Sequence, residues 1–151
     1  MAPLPYARRA ALVVWSALIV LPLAFLVVVL AVGGVDRASP AVAPLFFWIA
    51  IGASVLDLAL AWLLAPRVGA KASSDPEAVA FTRLLFAWAL AEAAAIFPLV
   101  AYLLTDDARL IGIFGVDLLA LVLLFPSDQR WESMRPAGAE DGRPAVRRMV
   151  R

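Results

Sequence analysis

The sequence predicts an all-α polytopic membrane protein with four transmembrane helices and both termini in the cytoplasm. Three observations predict it. Hydrophobic residues make up 64% of the 151 and charged residues 17%, whereas a soluble domain is about 45–50% apolar. The apolar residues gather into four runs separated by short polar breaks. The basic residues fall almost entirely on one side of those runs.

A helix needs about 20 apolar residues to cross the roughly 30 Å hydrocarbon layer. The runs place spans at residues 10–32, 44–65, 84–104 and 109–125. The first follows a basic start and is too long for a signal-peptide core of roughly 7–15 residues, so it is expected to be retained. "GGVDRASPAVAP" separates the first and second spans. "PRVGAKASSDPEA" separates the second and third. Within it Asp75 is suited to cap a helix, Pro76 to open it and Glu77 to complement the positive end of its dipole. Helix 3 is therefore expected to begin about two turns before it enters lipid. "TDDAR" makes a tight turn into the fourth and shortest span. Residues 1–126 thus form a four-helix transmembrane domain. Residues 127–151, rich in Pro, Gly and charge, are expected to be a disordered basic cytoplasmic tail.

Orientation follows from the basic residues. Arg8, Arg9, Arg67, Lys71, Arg83, Arg130, Arg135, Arg143, Arg147, Arg148 and Arg151 lie on one side of the predicted spans, and only Arg37 and Arg109 on the other. That asymmetry predicts a multi-pass inner-membrane protein with both ends inside. The expected partners are the lipid bilayer and a homo-oligomer or larger membrane complex. No basic face supports nucleic-acid binding.

The chain contains no cysteine and no histidine. Thiolate and imidazole chemistry, disulfides and Ser-His catalysis are thereby excluded. No phosphate-binding glycine loop and no catalytic constellation is found, so neither an enzyme nor a cofactor is expected.

The chemistry that remains is acidic. Asp57, Glu92 and Asp117 each stand eight residues from the cytoplasmic end of a predicted span, about 12 Å deep at 1.5 Å per residue. Small residues surround the first two: Ala50, Ala53, Ser54 and Ala61 share a face with Asp57, and Ala89 and Ala95 flank Glu92. Such residues let membrane helices approach closely, so Asp57 and Glu92 are expected to face each other's helices. Asp117, among Ile113, Phe114, Ala120 and Leu121, carries a weaker signal. Arg83 is half a helical turn away from Glu92 in direction and is expected to snorkel to the interface or to meet Asp57 from the side. Acids held in low dielectric without a basic partner are expected to be protonated or to hold a cation.

"DPEAVAFTRLLFAWALAEAAAIFPLVAYLL", residues 75–104, resembles the carboxylate-bearing helix of rotary ATP synthase c subunits. A polar loop with Arg67 or Lys71, then Pro76 and Glu77, precedes a helix in which Glu92 takes the place of the ion-carrying acid. The resemblance implies proton or sodium binding at Glu92. It is confined to that segment: helix 2 carries only Gly52, where that family's first helix is glycine-rich. Two readings stand side by side. Glu92, Asp57 and Asp117, supported by Ser54 and Arg83, bind a proton or small cation; or these acids only hydrogen-bond between helices in an assembly subunit.

Overall fold

A computed structural model describes residues 6–32, 42–69 and 75–136. Among these residues the chain is wholly helical: α1 spans Tyr6–Val32, α2 Ala43–Leu64, α3 Pro76–Thr105, α4 Arg109–Leu123 and α5 Asp128–Met134, with a 3-10 turn over Ala65–Arg67. Three of them, α1, α2 and α3, are long and apolar enough to cross a membrane. A fourth crossing exists if α4 and α5, which meet at 82°, count as one broken span.

Helix α3 is the hub, packing against α1, α2 and α4. It opens as its residues dictate: the Asp75 side chain accepts from the Glu77 amide at 3.0 Å, and Pro76 takes the first position. Its far end closes on Asp106, held left-handed at φ 55° with its amide donating to the Tyr102 carbonyl at 2.7 Å. A short polar residue tolerates that conformation better than most. Alanines line the buried faces of α3, with Ala80, Ala87, Ala91, Ala94, Ala95 and Ala101 all inaccessible. Small side chains bring the backbones together, so van der Waals contact replaces the missing hydrophobic drive between helices in lipid.

The outer surfaces of α1 and α2 carry large apolar groups, Val13, Val20, Trp48 and Trp62 among them, the last 75% exposed. In water so large an apolar surface would be unfavourable; against acyl chains it costs nothing. Polar groups on these surfaces satisfy themselves locally. The Ser16 hydroxyl, for example, donates to the Leu12 carbonyl one turn back, an outlet for a hydroxyl within a helix.

The segment after the last apolar run departs from the expected disordered tail. Ser127 caps α5, its hydroxyl accepting from the Arg130 amide, and Trp131 is buried against the bundle. The cap and the aromatic anchor both hold this helix despite its polar composition. The rest of the tail, residues 137–151, lies outside the described residues, as do Arg37 and Lys71.

Candidate functional site

Helices α2 and α4 run side by side in the same direction, with α3 packed against both. Ala50 and Leu110 share a buried cluster with Ala101 of α3 near one end; Ala61 and Leu121 share another near the other. Both helices bury side chains at a four-three-four spacing. On α4 the stripe is Leu110, Phe114, Asp117 and Leu121. On α2 it is Ala50, Ser54 and Ala61, with half-buried Asp57 at the remaining place. This spacing keeps one face of a helix turned to its neighbour. It therefore brings Asp57 and Asp117 to equivalent levels of two parallel helices.

The polar contact made there is short and sheltered. The Ser54 hydroxyl donates to Asp117 Oδ2 at 2.7 Å. Asp117 is 1% exposed and Ser54 6%. Asp57 follows Ser54 by three residues on the same face of α2 and is half-buried. Asp57 itself makes no hydrogen bond among the described residues. The centre therefore contains one hydroxyl and two carboxyls, with no basic group hydrogen-bonded to either acid. Among the described residues no three acids converge on one point.

Glu92 stands apart from this pair. It lies seven residues before Leu99, on the same face of α3, and Leu99 packs against Val29 of α1 and Phe114 of α4. The opposite face, carrying Ala101, meets α2. At 100° per residue Glu92 and Ala101 point in opposite directions, so Glu92 is turned toward the α1 side and away from Asp57. The expectation that these two acids face each other is corrected accordingly: Ser54 and Asp117 make the interhelical contact. Glu92 is half-buried, and its Oε1 is enclosed without a hydrogen-bond partner.

Arg83 is also elsewhere. It is 6% exposed, and among the described residues its guanidinium meets backbone carbonyls and no acid. Its Nε donates to the Val68 carbonyl at 3.1 Å and one terminal nitrogen to the Met134 carbonyl at 2.8 Å. It thereby ties the α2–α3 connection to the end of α5. The same end is closed by Trp131, whose indole donates to Glu77 at 2.9 Å, and by an ion pair between Glu77 and Arg135. Arg8 pairs with Asp128 across to α1.

Compared with known families, curated proteins and solved structures, the chain matches none.

Two further residues escaped the reading of the sequence. The Trp15 indole of α1 donates to the Leu121 carbonyl at 3.1 Å, and the Trp88 indole of α3 donates to the Leu124 carbonyl at 2.9 Å. Carbonyls near a helix end are short of donors. The Trp88 indole serves Leu124, and the Trp15 indole joins the Leu124 amide, which donates to the Leu121 carbonyl at 3.2 Å. Both indoles come from neighbouring helices and tie down the end of α4, the helix that carries Asp117. The available signal was an indole on a helix already apolar enough without it.

Proposed function

We propose that this is a non-enzymatic membrane protein of four spans, with both termini cytoplasmic, whose intramembrane carboxyls bind a proton or small cation. The orientation is supported by the eleven-to-two distribution of basic residues. The observation that carries the functional reading is the buried Ser54–Asp117 contact, with Asp57 three residues after Ser54 on the same face of α2. Two like acids near each other in low dielectric cannot both be ionised without a counter-ion. They share a proton or they coordinate a cation, and Ser54 orients the carboxyl that does so. Glu92 is the second site of the proposal. It is the acid that resembles the carrier of rotary c subunits, and its Oε1 is enclosed within the bundle. Such a protein contributes ion binding to transport or to a membrane complex of which it is a part.

The rival reading, an assembly subunit, is favoured by one specific observation: the Ser54–Asp117 bond by itself is an adequate interhelical link. Infrared difference spectra separate the two. The carboxyl band of Asp117, assigned by its loss in Asp117→Asn, is followed in lipid through steps of pH and through exchange of potassium for sodium. An ion-binding acid changes its band with pH or with sodium. A band that responds to neither leaves Asp117 a structural partner of Ser54.

A further inference from the structure

At the α5 end of the bundle a cavity of about 470 Å³ lies between α2, α3, α4 and α5. This is well within the roughly 300–1,000 Å³ of small-molecule sites. Its lining has two characters. Ala61, Trp62 and Leu124 form an apolar wall; Gln129, Arg130 and Ser133 form a polar rim on and beside α5. Apart from exposed Arg9, the other described arginines around this end are engaged. Arg8 pairs with Asp128, Arg135 with Glu77 and Glu132, Arg67 bonds the Leu63 carbonyl, and Arg83 spans two carbonyls. The Arg130 guanidinium makes no ion pair or hydrogen bond among the described residues. A cation without a partner, set over an apolar wall, is complementary to an amphiphile with an anionic head.

Depth selects the kind of amphiphile. Trp62, at the cavity wall, is among the most exposed residues of α2 and lies in its last turn. Tryptophans so placed mark the headgroup level of a bilayer. A soluble anion would leave the wall of Ala61, Trp62 and Leu124 wet, whereas a lipid covers it with the start of its chains. We propose that this cavity binds the headgroup of an anionic phospholipid, with Arg130 against the phosphate, the Gln129 amide donating beside it, and the glycerol and first methylenes along Trp62 and Leu124. The site is independent of the carboxyls within the bundle.

The test uses the full chain in detergent, read by native mass spectrometry after addition of phosphatidylglycerol or phosphatidylcholine with identical acyl chains. Each basic residue at a membrane surface contributes about a fivefold preference for anionic lipid. Wild type should retain phosphatidylglycerol about fivefold better than phosphatidylcholine, and Arg130→Gln should abolish the difference. Arg9→Gln, at an exposed arginine outside the cavity, should keep it. Ser133→Trp fills the cavity from the exposed side of α5 and should weaken phosphatidylglycerol retention with Arg130 still present. Without any variant, phosphatidylglycerol and not phosphatidylcholine should slow amide exchange over residues 128–134. Equal retention of the two lipids by wild type, or a preference that survives Arg130→Gln, overturns the proposal. So does slowing of exchange by inorganic phosphate as strongly as by phosphatidylglycerol, which would assign the cavity to a soluble anion.

Discussion

The Ser54 hydroxyl and the Asp117 carboxylate meet at 2.7 Å, both side chains buried, on helices separated by the whole of α3 in the chain. Interhelical hydrogen bonds in membranes are worth about 0.6 kcal/mol on average and about 1.7 at most. A double-mutant cycle of Ser54→Ala and Asp117→Ala should return a coupling in that range, measured by unfolding in mixed micelles. A coupling indistinguishable from zero would contradict the contact.

Arg83 holds α5 in place through the Met134 carbonyl. Hydrogen bonds from a charged donor contribute about 1.5–3 kcal/mol. Arg83→Gln should therefore speed amide exchange over residues 128–134 by about tenfold or more while leaving the interior of α3 protected. Uniform deprotection of the whole bundle would mean that Arg83 supports the fold at large and does not serve as a local tether.

Asp107 is held below the usual carboxylate range, chiefly by the side-chain hydrogen bond from Arg109; burial opposes this, and the Arg109 amide and charge add to the lowering. The sign of the linkage follows. A depressed acid contributes stability that is fully present above its unfolded value of about 3.9 and is lost as pH falls through the lower folded one. The turn joining α3 to α4 should thus stay ordered below pH 3.9 or so. Arg109→Gln should move its acid transition upward, to the ordinary value. Carbon-13 titration of the Asp107 carboxyl reads both, and an unchanged midpoint in Arg109→Gln would refute the assignment.

Glu92 encloses an oxygen without a donor, an arrangement that costs stability. Replacing it by an apolar group of similar shape removes the cost. Glu92→Met should be neutral or stabilising to thermal unfolding, and it should delete one site of carbodiimide labelling. A clear loss of stability would show that Glu92 has a bonding partner in the membrane.

Helices α1, α2 and α3 were legible because lipid imposes one rule, about 20 apolar residues per crossing, and the chain obeys it there between Pro and Gly breaks. Which face of each helix points inward was much less legible. A soluble helix advertises its buried side by contrast with polar residues, but here lipid-facing Val20 and core-facing Val29 are the same residue type. Small residues identified the close approach of α2 and α3. They said nothing of Asp117, which sits in a stripe of large side chains with Leu110, Phe114 and Leu121. Its four-three-four spacing was visible, yet an all-apolar helix offers such a stripe in every direction. The partners of Arg83 were not legible for a related reason: they are backbone carbonyls, and these leave no mark on a side-chain pattern. For α5, composition argued for disorder, while the informative signals were two single residues, Ser127 as cap and Trp131 as anchor.

Helix α4 has 15 residues and α3 has 30, about 22 and 45 Å of rise at 1.5 Å per residue. With α4 as the fourth span, its flank of the bundle is shorter than a hydrocarbon layer of roughly 30 Å, whereas α3, which opens about two turns before its apolar run, is enclosed by its neighbours. The right-angled departure of α5 prevents α4 from gaining length at its end. The bilayer beside α4 is then drawn thinner. Such hydrophobic mismatch sorts proteins toward thinner membranes and draws mismatched surfaces together. The short flank of α4 is thus the side from which this protein most strongly perturbs its lipid, and the side on which a neighbour of matching height would relieve the deformation.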